Sequence, residues 1–121
     1  MRVIYKKPGK APEAIHIENT HEALQGAVGG HIEMVNLGDA AVIVDEEGKL
    51  KGRPANFTIT APNGVAELIC GAAVFCGFDG EAFGDVPKKL EALVMSQWRE
   101  HRLQRMRRTR RKEKENDVLL H

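Results

Sequence analysis

The sequence is poor in aromatic residues and cysteine, nearly devoid of serine, and has no long apolar run. Aromatics make up 5% of its 121 residues, so a core has to be built mainly from Val, Ile, Leu, Ala and Met. No stretch approaches the roughly 20 consecutive apolar residues of a membrane helix. The opening residues, MRVIYKKPGK, carry charge with no apolar segment behind it, so no secretion signal is expected. Ser96 is the single serine; with no His and Asp arranged around it, serine-based nucleophilic catalysis has no support. The only cysteines, Cys70 and Cys76, share one apolar stretch, LICGAAVFCGF. Read as one strand, their six-residue separation spans roughly 20 Å, against the about 7 Å within which a disulfide closes. They are read as small buried thiols in a reducing compartment, with a cytoplasmic setting expected. These absences argue against a membrane protein, a disulfide scaffold and a large enzyme.

What is present is one domain's worth of chain with an uneven charge map. The formal net charge is +1. Residues 1–98 hold nine basic and thirteen acidic side chains, whereas residues 99–114 hold nine basic and two acidic ones. A mildly acidic body therefore carries a concentrated basic arm, a composition that attracts phosphate backbones or acidic protein surfaces.

Periodicity places the elements. Val3–Tyr5 and the alternating AIHIE of residues 14–18 read as strands separated by the turn-forming KKPGKAP. Asn19 suits a helix N-cap, with Glu22 three residues on as its capping-box partner, and Gly29-Gly30 suits the C-terminal end. Residues 31–37 form the next strand; the intervening length would allow a parallel crossover or an antiparallel arrangement. AAVIV at residues 40–44 reads as a central strand, residues 45–48 as a hairpin turn with 49–52 as a brief return, and residues 57–60 as a short strand. Val65–Phe78 is the longest apolar segment, and Gly71 and Gly77 within it indicate bulges or close backbone approach. Residues 79–85 read as loop. From Pro87, in the first helical position, Leu90, Leu93, Val94, Trp98 and Met106 recur at helical spacing. The expected architecture is an α+β fold. A small mixed sheet of about five short strands is joined by one short helix and a longer basic C-terminal helix, with residues 1–86 as the body and 87–121 as helix and arm.

Several of these segments carry a recognisable pattern: Pro8-Gly9-Lys10, Pro12-Glu13, Ile17–Thr20, Glu22–Gln25, Val28–Gly30, Ile32-Glu33, Glu46–Gly52, Pro54, Asn56 and Ile69–Gly71. In that order they resemble a family of small domains of unknown function whose members occur in bacteriophages, plasmids and integrative elements. The resemblance covers roughly residues 1–79 and implies an accessory gene of a mobile element. The basic extension beyond about Arg99 is not part of the pattern.

Candidate chemistry is sparse. His16 and His31, with Glu18 and Glu33 two residues after each, would offer a zinc set only if their strands were neighbours; a solvated polar face is the favoured reading. Gly29-Gly30 follows a helix, so it is a cap rather than a phosphate loop. Lys49, Lys51, Arg53 and Asn56 cluster after a turn and would suit an anionic ligand such as a nucleotide. The strongest signal is the arm: Arg99, Arg102, Arg105, Arg107, Arg108, Arg110, Arg111, Lys112 and Lys114. It suits phosphate contact without base-specific reading, because Asn, Gln and aromatics are scarce among the arginines. No catalytic residue, cofactor or metal is expected. The reading is a non-enzymatic accessory protein that binds and inhibits a host protein or nucleoprotein complex, a defence nuclease of CRISPR–Cas or restriction type being one such target. A nucleotide or cyclic-signal sponge and a DNA- or RNA-binding protein acting through the arm are the alternatives. The apolar stripe of the C-terminal helix also suits pairing with a second copy.

Overall fold

The computed structural model describes residues 1–60 and 63–111, with side chains as far as residue 100. Among the described residues, eight strands and two helices follow in the order β1 (Arg2–Lys6), β2 (Glu13–His16), α1 (His21–Val28), β3 (Ile32–Asn36), β4 (Ala40–Asp45), β5 (Ala55–Thr60), β6 (Ala66–Cys70), β7 (Ala73–Asp79), β8 (Ala82–Gly84) and α2 (Lys88–Arg111). Six strands form one sheet in the order β2-β1-β7-β4-β3, with β8 added beside β7, and β5 and β6 form a separate ribbon. Every neighbouring pair runs antiparallel. The α+β class stands.

The period-2 geometry of a strand explains how so few aromatics suffice. Val3, Ala41, Ile43, Val74 and Cys76 point to one face and pack with Leu24 and Val28 of α1. Ile4, Val42, Val44, Ala73 and Phe75 point to the other, beneath Leu90, Val94 and Met95 of α2 and Phe57, Ile59 and Ile69 of the ribbon. The sheet is thus covered on both sides, which is why β4 is apolar without alternation from Ala40 to Val44 and buried at all six positions, Asp45 included. The Phe57 and Phe75 rings stack with centroids 5.4 Å apart, fixing the ribbon to the sheet.

Several sequence expectations change in detail. The N-cap of α1 is Thr20, whose side chain accepts from the Ala23 amide at 3.1 Å. Asn19 instead donates to the Phe83 carbonyl at 2.7 Å, tying the helix entry to the β7–β8 hairpin. Thr20→Ala should therefore cost about 1 kcal/mol, measurable by urea unfolding, whereas a larger loss on Asn19→Ala alone would reassign the cap. β2 and β3 are not neighbours: three strands lie between them, and α1 crosses the sheet face from one edge to the other. The apolar run around Gly71 is two strands, not one. Gly71 turns with φ +90° and sends β6 into the ribbon and β7 into the main sheet. Cys70 and Cys76 are free thiols on different strands. Gly77 is a site of close approach, because a Cβ there would meet the Asp85 carbonyl oxygen. Residues 79–85 form the β7–β8 hairpin instead of a loop.

Candidate nucleic-acid interface

The arm is carried by α2. Its first turn is set by the Pro87 carbonyl, which accepts from the Glu91 amide at 3.0 Å. Glu91 then accepts from Arg2 in two-pronged fashion, at 3.2 and 2.8 Å. The Arg2 guanidinium holds the Glu91 carboxyl below its ordinary range, first by this hydrogen bond and then by charge. Leu90, Val94 and Met95 pack, half-buried, against the core. Leu93, expected on the same stripe, is 53% exposed and borders a shallow groove with Leu37, Ala40 and Pro87. The face packed on the core uses Met95 in its place, because positions 90, 94 and 95 meet the core and 93 lies to one side.

Half-buried Trp98 follows, with the Lys6 amine 4.8 Å from its ring centroid. Arg99 comes immediately after it and is exposed. The helical backbone continues without a break to Arg111, so Arg99, Arg102, Arg105, Arg107, Arg108, Arg110 and Arg111 lie on the helix whose first turns are packed on the body. The thirteen residues from Arg99 to Arg111 span about 20 Å of helix axis. Lys112 and Lys114 lie outside the described residues.

The structure divides the second predicted cluster. Lys51 and Arg53 converge on Asp45, whose Oδ2 accepts from Lys51 Nζ at 2.9 Å and Arg53 Nε at 2.8 Å. Asp45 Oδ1 accepts from the Glu47 amide at 2.9 Å. Arg53 also donates to the Gly29 carbonyl at 2.8 Å, binding the end of α1. Burial alone would raise the Asp45 carboxyl, but the hydrogen bonds from Lys51, the Glu47 amide and Arg53 outweigh it and hold it at about 2. Gly29 and Gly30 give this clamp its room: a Cβ on Gly29 would stand 2.8 Å from Arg53 Nη2, and one on Gly30 2.6 Å from Lys51 Nζ. Gly29 also turns the helix end with φ +84°. Asn56 lies elsewhere, buried against Lys6. Lys49 is exposed on the turn. The four residues thus form no common pocket, and two of the three cations already face a carboxylate.

His16 and His31 are on or next to strands at opposite edges of the sheet, so they do not meet. Among the described residues no group of three or more His, Cys, Asp or Glu side chains is placed to hold a metal ion. Burial pushes the Cys76 thiol up to about 11, the direction opposite to that of a reactive thiolate. Sequence reading missed Asp45 and Lys6. The one signal for Asp45 was an acid ending a wholly apolar strand with cations six and eight residues on.

Among the described residues no helix is long and apolar enough to cross a membrane. No curated protein and no solved structure matches the chain. A family model described as "Domain of unknown function (DUF3846)" matches residues 1–100. That span takes in the whole sheet, both packed faces and the docked turns of α2, and it stops before Arg102. On that match the chain belongs to the DUF3846 family.

Proposed function

We propose that this protein is a non-enzymatic binding module that grips nucleic acid, free or within a nucleoprotein complex, through the arginines of α2. The observation that carries the reading is the continuity of α2. Its first turns are fixed to the core through Leu90, Val94 and Met95, and the same helix bears seven arginines from Arg99 to Arg111. A cationic segment anchored at one end loses less orientational freedom on binding than a free tail would. In the sequence the arginines keep to no single helical spacing, which suits a phosphate backbone, contacted by charge, more than the edge of one base. Lys51 and Arg53 are already matched by Asp45, so the loop offers a small anion less free charge than the arm offers a polyanion. The mobile-element setting implied by the sequence resemblance gives such binding a role: keeping a host defence nuclease and its nucleic acid apart by occlusion.

The test compares the full chain with one ending at Trp98 against duplex DNA and single-stranded RNA at rising salt. Full-length protein should bind and the shortened protein should not. Equal binding by both would remove the arm from the mechanism, and recovery of a host protein by the full chain without nucleic-acid affinity would shift the reading to a protein target.

A further inference from the structure

The connection between β5 and β6 carries an exposed Asn63-Gly64 pair. Among the described residues the ladder of the ribbon ends at the pair Thr60 and Ala66, so Asn63 and Gly64 lie beyond it. Asn63 Oδ1 accepts from the Val65 amide at 2.9 Å, a turn in which the side chain closes on the backbone two residues on. The ring closed by this hydrogen bond contains both Asn63 Cγ and the Gly64 nitrogen. Gly64 has φ +85°, a conformation to which an Asn-Gly turn is suited. Among the described residues a Cβ added there would meet nothing within 4 Å, so the turn stands open to water.

The other asparagines are placed differently. Asn63 alone is followed by glycine. Asn36 makes the same kind of turn, its Oδ1 accepting from the Gly38 amide at 2.7 Å. The next nitrogen there belongs to Leu37, which donates to the Ala40 carbonyl at 2.9 Å and packs its side chain against the core. Asn19 is followed by Thr20, and its amide is held by the Phe83 carbonyl. Asn56 is buried inside β5 with its amide donating to two carbonyls. Asn116 lies outside the described residues.

We propose that Asn63-Gly64 is a spontaneous modification site of the folded protein, where the Asn63 amide is lost to water and the ribbon tip gains a carboxylate. Solvent base takes the Gly64 N–H proton, and the nitrogen attacks Asn63 Cγ. The Cγ–N64 bond forms, the Cγ–Nδ2 bond breaks, and ammonia leaves, giving a cyclic imide. Oδ1 carries the developing negative charge, and the Val65 N–H is already aimed at it, as the donor of an oxyanion hole is. Glycine has no side chain to crowd the attacking nitrogen. Water then opens the imide. Addition at Cγ gives aspartate; addition at the main-chain carbonyl gives isoaspartate, whose backbone runs through the former side chain. Either product replaces a neutral amide by a carboxylate, so the formal net charge falls from +1 to 0. Phe57, Ile59 and Ile69 fix the ribbon to the sheet away from this turn, so the core is untouched. The site goes beyond the nucleic-acid reading and holds whether or not the arm binds phosphate.

The full-length protein is warmed at mildly alkaline pH until the same chain, unfolded in guanidinium chloride, has converted at Asn63. Peptide mapping by mass spectrometry reads each asparagine, an isoaspartate assay reads the rearranged product, and far-UV circular dichroism confirms that the protein stays folded. The expected result is conversion at Asn63 to a mixture of aspartate and isoaspartate, with Asn19, Asn36 and Asn56 intact. The rate should rise with pH, because the attacking nitrogen must lose its proton. Gly64→Ala should slow the conversion severalfold, and Asn63→Gln should remove the isoaspartate signal of this segment. Retention of the Asn63 amide in the folded protein, conversion of Asn36 at an equal rate, or an unchanged rate in folded Gly64→Ala overturns the proposal.

Discussion

Asp45→Ala should lower the free energy of unfolding by about 3 kcal/mol, within the range of about 3–5 kcal/mol for breaking a buried ion pair. The Asp45 side chain is wholly enclosed and accepts three hydrogen bonds that gather the end of β4, the turn at residues 46–53 and, through Arg53 and Gly29, the end of α1. Removing it leaves the Glu47 amide without its acceptor and two cations side by side. Lys51 and Arg53 retain about a third of their side-chain surface in water, so they partly rehydrate and the loss falls at the lower end of the range. Urea unfolding measures it, and a loss under about 1 kcal/mol would show that the clamp is not a stabilising feature. Acid should produce a similar effect. The carboxyl lies at about 2 in the folded protein against about 3.9 when unfolded. The folded state therefore prefers the ionised form, and that contribution is complete above about pH 5 and is lost as pH falls through 4 towards 2. It amounts to about 2 kcal/mol, and the acid-induced loss between those values should be smaller by about that amount in Asp45→Asn.

Nucleic-acid affinity of the full chain should fall by a factor of about 10³ to 10⁵ between about 50 and 200 mM salt, if six or more phosphates are contacted. The arm has nine basic and two acidic side chains between residues 99 and 114, enough for that number of contacts. Each phosphate neutralised contributes about 0.9 to the slope of log affinity against log salt on duplex DNA and about 0.7 on single strands. Replacing Arg105, Arg107, Arg108 and Arg110 by Gln should reduce the duplex slope by up to about 3.6, and the loss should be similar across unrelated sequences. A flat salt response, or an affinity that varies strongly with base sequence, would contradict backbone contact by the arm. The Asp45 and arm predictions are independent: the first concerns the junction of α1 with β4, and the second a segment beyond the last packed turn of α2.

The candidate sites were legible to different degrees. The arm could be read directly because charge density is a property of local sequence. Lys51 and Arg53 were visible as cations, yet their partner was read as part of a surface turn. An aspartate at a strand end and one in a turn look alike in sequence, and only the packing of α1 over β4 encloses Asp45. In the sequence Lys6 reads as the first residue of the KKPGKAP turn, beside Lys7. Its burial arises because Asn56, fifty residues later, and Trp98, more than ninety later, close over it.

By itself the sequence determined the α+β class, the apolar strands β1 and β4, the glycine end of α1, and a basic segment following an amphipathic helix. Period, turn chemistry and charge act over a few residues and need no tertiary context. Only the tertiary structure decided that β2 and β3 occupy opposite edges, that the run around Gly71 belongs to two sheets, and that Met95 rather than Leu93 faces the core. It also decided that Asp45 and Lys6 are buried polar centres. Strand order, the choice of face and the desolvation of a charge depend on residues far apart in the chain meeting around one core, and no local pattern encodes those meetings.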